Sequence, residues 1–185
     1  MFQPEVDIIE KELSNKPIRA DSVILLQAQD RIFHLEFQVN VESSNPPIPL
    51  RMLDYWVRLH RKYRLPIDQT VILLKESPAA RELQPEFVFE KTFHPFHIVR
   101  LWEEDPDTLL QDIALLPLAT LTKTSDPTNL LNRVAEQVEK IDNIEDRKLI
   151  SDCAQILAGL RFKNDIIHQA FKEVTMREST IYKEI

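Results

Sequence analysis

Glu36 and Gln38 lie two residues apart in a run, residues 31–41, where Phe33, Leu35, Phe37 and Val39 alternate with His34, Glu36, Gln38 and Asn40. Period-two alternation predicts a strand, and residues two apart on a strand project from one face. Residues 20–28 upstream are rich in aliphatic and β-branched side chains, and the polar pair Gln29-Asp30 joins the two runs as a β-hairpin. Folding the hairpin about Ala28 and Gln29 brings Asp21 level with Glu36 or with Phe37, depending on register. In the first register two carboxylates and an amide share one face at the end of a sheet. Two close carboxylates repel each other unless a cation or proton sits between them. Hard oxygen ligands of that kind suit Mg²⁺ or Mn²⁺. The plainer reading is a solvated face, because antiparallel hairpins commonly expose their polar alternate residues.

A second group is cationic. Arg51, Arg58, Arg61, Lys62 and Arg64 crowd one segment with only Asp54 opposing them, inside a chain whose net charge is −7. The spacing predicts a helix over residues 50–64, with Leu50, Leu53, Trp56, Val57 and Leu59 as its apolar stripe and the arginines on its flanks. Such a helix can dock a phosphate backbone. Equally, it can be a solvated amphipathic helix whose arginines pair with nearby acids. His94-Pro95-Phe96-His97 has ligand-type spacing, but a proline interrupts it and no acid lies close, so a surface turn is expected rather than zinc. His34 shares a strand face with Glu36 and reads as a hydrogen-bonded structural histidine. Cys153 sits on a helical apolar stripe and reads as core.

The elements that must position these groups follow from punctuation and period. Residues 43–49 (SSNPPIP) form a proline-stiffened connector, and Pro66 ends the basic helix. Residues 69–74 and 97–102 are short apolar runs that suit buried strands, while the spacing of residues 6–13 fits a third strand or a short helix. Strand, strand, helix, strand, strand points to a mixed sheet in an α/β domain. From Asp105 the character turns helical: Asp126-Pro127 caps a helix over 128–141, another runs over 144–158 to an αL cap at Gly159, and short helices follow over 164–174 and 176–185. The expected division is a core over 1–104 and a helical region over 105–185, packed on that core.

Composition removes whole classes of function. The chain has 185 residues and a single glycine against 12 prolines, so no glycine-rich phosphate loop or Gly-x-Ser-x-Gly elbow exists in it. No apolar run approaches the ~20 residues of a membrane helix. One cysteine allows no internal disulfide, and residues 1–10 carry acids where a secretion signal carries bases, so a cytoplasmic protein is expected.

An ordered set of strings carries a resemblance: Pro17-Ile18-Arg19-Ala20-Asp21-Ser22, then His34-Leu35-Glu36-Phe37-Gln38, then Arg51-Met52-Leu53-Asp54-Tyr55. It continues through Ile98-Val99-Arg100-Leu101-Trp102-Glu103, Ile156-Leu157-Ala158-Gly159-Leu160 and Met176-Arg177-Glu178-Ser179, and so covers nearly the whole chain. The set resembles the PD-(D/E)XK nuclease superfamily, and within it the Rpn-type recombination-promoting nucleases and transposases of cyanobacterial type. The resemblance implies a restriction-endonuclease-like mixed central sheet flanked by helices, and a Mg²⁺-dependent (or Mn²⁺-dependent) DNA endonuclease. Asp21 and Glu36 would hold the metal with the carbonyl of Phe37, and Gln38, at the place where most of the superfamily has lysine, would position the attacking water. Arg51, Arg58 and Arg61 would contact DNA. One site per chain implies a homodimer if double-strand breaks are made. Glu36→Ala is expected to remove cleavage without unfolding the chain. The alternative is a catalytically inactive, N-terminally shortened relative acting as a binding or assembly module, favoured by Gln38 in the lysine position, the acidic balance and a start almost directly before the first strand.

Overall fold

The computed structural model describes residues 6–8, 22–28, 30–172 and 174. The chain divides into two compact units, Met1–Arg100 and Leu101–Ile185. The first contains β1 (Val6–Ile8), β2 (Ser22–Ala28), β3 (Arg31–Gln38), α1 (Ile48–Tyr63), β4 (Ile67–Leu73), α2 (Pro78–Glu82), β5 (Glu86–Phe89), β6 (Thr92–Pro95) and β7 (His97–Arg100). Five strands make a mixed sheet in the order β1-β2-β3-β4-β7. β1, β2 and β3 are antiparallel neighbours, whereas β3, β4 and β7 run parallel. A parallel pair needs a crossover, and α1 supplies it between β3 and β4. The expected mixed sheet is therefore present, and residues 6–8 of the ambiguous first segment are strand. The second crossover carries α2 and the two-stranded β5–β6 sheet, neither of which the sequence reading placed.

Two expectations about facing are reversed. On β3 the polar residues His34, Glu36 and Gln38 are buried together with Ile32, while Phe33, Leu35 and Phe37 are only half-buried. The polar alternate face is thus the covered one, and α1 covers it. The stripe of α1 is also rotated from the expected one. Its buried residues are Ile48, Arg51, Met52, Tyr55 and Leu59, and Leu50 and Val57 are exposed. This set keeps the three-and-four spacing of a helix face, so periodicity alone does not separate it from the neighbouring stripe. α1 begins at Ile48, two residues before the expected start, with a proline in its first turn. It ends at Arg64 in the left-handed conformation (φ 57°), whose N–H reaches the His60 carbonyl.

The second unit is helical: α3 (Pro106–Leu109), α4 (Leu116–Ala119), α5 (Pro127–Glu139), α6 (Ile144–Ala158) and α7 (Asn164–Ala170), with single 3₁₀ turns at Leu101–Glu103 and Ile113–Leu115. Asp126 caps α5 by accepting from the Asn129 N–H at 3.0 Å, with Pro127 in the first turn as expected. Asn143 caps α6 through the Glu145 and Asp146 N–H groups, at 2.8 and 3.1 Å. Apolar faces of these helices, including Leu131, Val134, Val138, Ala154, Ile167 and Phe171, make one core. Gly159 is not the expected αL cap: its φ of −61° is right-handed helical. Cys153 is half-buried. The helix expected over 176–185 lies outside the described residues.

Candidate functional site

The inward face of β3 carries charge into the first unit. Glu36 is 0% exposed and Arg51 1%. Arg51 projects from the buried stripe of α1 and bonds through Nη2 to Glu36 Oε1. The same nitrogen donates to Gln38 Oε1 at 2.6 Å, and Arg51 Nη1 donates to Ser44 Oγ at 3.2 Å. Gln38 is itself fixed, because its Nε2 donates to the Asn40 carbonyl at 2.7 Å. Ser44, in the proline connector, donates in turn to the Pro46 carbonyl at 2.8 Å. Arg51 Nε is buried without a hydrogen-bond partner. A buried donor left unmatched costs about 1–3 kcal/mol.

A neutral network adjoins this charged group. Gln69 on β4 is level with His34 across the parallel pair, so both face α1. Its Nε2 donates to the Met52 carbonyl at 3.0 Å and lies 2.8 Å from His34 Nδ1. With one amide hydrogen on each, His34 Nδ1 is an acceptor and the neutral imidazole carries its proton on Nε2. That Nε2 is buried without a hydrogen-bond partner. Gln69 Oε1 sits 2.6 Å from His94 Nε2. Burial, and after it the charge of Arg51, pulls the His34 pKa down to about 4. Burial also lowers that of His94. Tyr55 meets the His34 ring at 4.9 Å, and its phenol is pushed up by burial and then by the Glu36 charge. His34 is thus a structural, hydrogen-bonded histidine, as its position suggested.

The expected site residues fall into three groups. Glu36, Gln38 and Arg51 come together. Asp21 lies outside the described residues, and the strand partners of Glu36 and Phe37 are Val23 and Ser22, so neither of the registers weighed for Asp21 is the observed one. Arg58 and Arg61 do not join the cluster: Arg58 pairs with Asp54 at 3.0 Å and Arg61 is exposed. His94 is not on a surface turn but buried on β6, and His97 is exposed on β7. Sequence reading missed Gln69 and His94 as partners of the site. Both are joined to it by parallel register and by a hairpin between β4 and β7, which leave no short-range signal.

A divalent cation fits this arrangement only in part. Among the described residues no group of three His, Cys, Asp or Glu gathers to hold a metal. Glu36 is a hard oxygen ligand, but one of its oxygens is engaged by its guanidinium partner. A second carboxylate would have to come from outside the described residues, as Asp21 would. Among the described residues no helix is long and apolar enough to cross a membrane. Compared with family models, with curated proteins and with solved structures, the chain matches none, so its function is argued from these residues.

Proposed function

We propose that the chain is a metal-dependent DNA endonuclease of the PD-(D/E)XK type, hydrolysing phosphodiester bonds at the Glu36 end of β3. The observation that supports it best is the inward charged face: Glu36, Gln38 and Arg51 bonded together beneath α1. Desolvating two charges costs several kcal/mol per ion, roughly recovered by pairing, and packed apolar residues would serve the fold as well or better. A chain keeping carboxylate, amide and guanidinium there instead has the polar equipment of a phosphoryl-transfer site. The mixed sheet with α1 crossing between β3 and β4 is compatible with a restriction-endonuclease-like core.

In this reading Glu36, the Phe37 carbonyl and Asp21 would hold Mg²⁺ or Mn²⁺, which when bound supplies an acidified water and charge on the departing oxygen. The chain's own residues do the rest. α1 and the connector shield the carboxylate from bulk water, Arg51 supplies its counter-charge, and Gln38 holds the guanidinium. Arg61, with Arg58 partly offset by Asp54, would meet the DNA backbone.

The inactive-module alternative has one specific observation in its favour, the guanidinium already seated on Glu36. Cleavage of supercoiled plasmid by purified protein, in Mg²⁺ or Mn²⁺ against EDTA and with Glu36→Gln beside wild type, decides between the two. Metal-dependent nicking lost in Glu36→Gln supports the nuclease. Absence of cleavage in either metal, or cleavage unchanged in Glu36→Gln, would sink it.

A further inference from the structure

The second crossover leaves a strand edge open. Among the described residues β5 pairs only with β6, with Phe87 level with His94 and Val88 level with Phe93. Hydrogen-bonded and non-bonded pairs alternate along an antiparallel ladder. The Phe96 N–H donates to the Pro85 carbonyl at 2.9 Å, which sets the phase: Phe87 and Phe89 turn their backbone groups toward β6. Pro95, which has no N–H, falls on a non-bonded position as that phase requires. The N–H and C=O groups of Glu86 and Val88 therefore point away from β6.

A groove of about 690 Å³ runs along that edge. Glu86, Phe87 and Val88 line it and no β6 residue does, so it lies on the free side of β5. Pro47 and Leu50 at the start of α1 and Leu83 at the end of α2 wall it. Both flanks are fixed in place. Arg100 on β7 donates to the Ala80 and Leu83 carbonyls at 3.3 and 2.9 Å. The hairpin is held by His94, whose Nε2 is 2.6 Å from Gln69 Oε1 and whose ring meets Trp56 of α1 at 5.7 Å.

Apolar side chains stand open here, with Leu50 42% and Val88 61% exposed. Glu82 and Glu86 are the only charged residues lining the groove, and both are exposed. Acids beside an open edge serve to repel other sheets. That need alone does not account for the uncovered aliphatic walls.

We propose that this groove docks an extended segment of a partner protein, aliphatic and basic in composition, which adds to the β5 edge as a strand. The outward backbone groups of Glu86 and Val88 pair with its main chain, as in other strand additions. Its aliphatic side chains cover Leu50, Leu83 and Val88, and its Lys or Arg meets Glu82 and Glu86. The inference is independent of the nuclease reading, since none of Glu36, Gln38 and Arg51 lines the groove.

The probe is a labelled, end-capped peptide, Val-Val-Lys-Lys-Val-Val, which places a cation and two aliphatic side chains on each strand face. Its acidic counterpart is Val-Val-Glu-Glu-Val-Val. Anisotropy is read with wild type, with Val88→Pro and with the double variant Glu82→Lys, Glu86→Lys, alongside urea denaturation and sedimentation without peptide. Wild type should bind the basic peptide at least tenfold more tightly than the acidic one, and the double variant should reverse that order. Val88→Pro removes one outward N–H and leaves the β6 ladder intact, so it should lower affinity about tenfold with an unchanged urea midpoint. No binding of the basic peptide up to about 1 mM overturns the proposal. Equal binding of both peptides by wild type does so too, as does unchanged affinity in Val88→Pro. A dimer that forms without peptide and is lost in Val88→Pro makes a second copy the occupant and overturns the assignment. Should Val88→Pro fail to fold, the basic peptide N-methylated at every residue offers the edge no donor and should bind wild type at least tenfold more weakly. Equal binding of that peptide would overturn strand addition.

Discussion

At the scale of single residues, the Glu36–Arg51 pair changes what a simple truncation means. Glu36→Ala leaves a guanidinium buried without its counter-ion, and breaking a buried pair costs about 3–5 kcal/mol. Glu36→Ala, expected to lose cleavage without unfolding the chain, is therefore expected to lose stability as well. Urea denaturation should place Glu36→Ala well below wild type, and Arg51→Met with Glu36→Leu well above Glu36→Ala, since the double change leaves no unpaired charge. A double variant as unstable as the single one would show that the pair is not the source of the loss. His34 gives the second residue-scale prediction. Its pKa is lowered on folding, from 6.5 to about 4, so the unfolded chain takes up its proton first. The stability it contributes is complete above pH 6.5 and drains away as pH falls toward 4, at up to about 1.4 kcal/mol per pH unit. His94, also lowered, acts in the same direction. Stability measured at pH 7 and pH 5 should differ less in His34→Gln than in wild type. An equal difference would take His34 out of the acid response.

At the scale of elements, the sequence discloses period more readily than phase. β3 shows its alternation without ambiguity, but which half faces inward depends on what lies above it. The polar half won because α1 presents Arg51, Tyr55 and the Met52 carbonyl to it, and each meets a polar or aromatic partner on β3 or β4. The same holds for α1, where two adjacent stripes satisfy helical spacing and the choice between them turns on a strand not adjacent in sequence. Hydrophobicity therefore favoured Leu50 and Val57, which are exposed, over Arg51, which is buried. Pairing of β2 with β3 was legible because it is local; the register tying Gln69 to His34 was not, since parallel partners are joined by a whole helix. Caps were legible for the same local reason. Asp126 and Asn143 each accept from N–H groups of the helix they precede. Asn143→Ala should lower stability by about 1 kcal/mol, read as a shifted urea midpoint with unchanged slope. No shift would mean that water replaces the cap without loss. Gly159 shows the limit of reading caps by residue type: the glycine is there, but its backbone stays right-handed.

For the whole molecule, charge limits how DNA could be held. The chain carries −7 overall, and its one basic segment is smaller on the surface than in the sequence. Arg51 is withdrawn to the interior and Arg58 is paired with Asp54, which leaves Arg61, Lys62 and Arg64 as the exposed bases at the end of α1. Counterion release makes the logarithm of affinity fall with the logarithm of salt, with a slope of about −0.9 for each phosphate neutralised. Three surface contacts give a slope of about −3, a loss of roughly 40-fold between 50 and 200 mM salt. All five bases acting together would give a slope nearer −4.5, and the buried position of Arg51 argues against that for duplex that has merely docked. Titrating a labelled duplex in EDTA across that salt range separates the cases. A slope near −3 that falls by about one unit in Arg61→Ala and stays put in Arg51→Gln assigns duplex contact to the helix end. No measurable binding even at 50 mM salt would mean that the acidic surface excludes DNA, and the nuclease reading would lose its substrate.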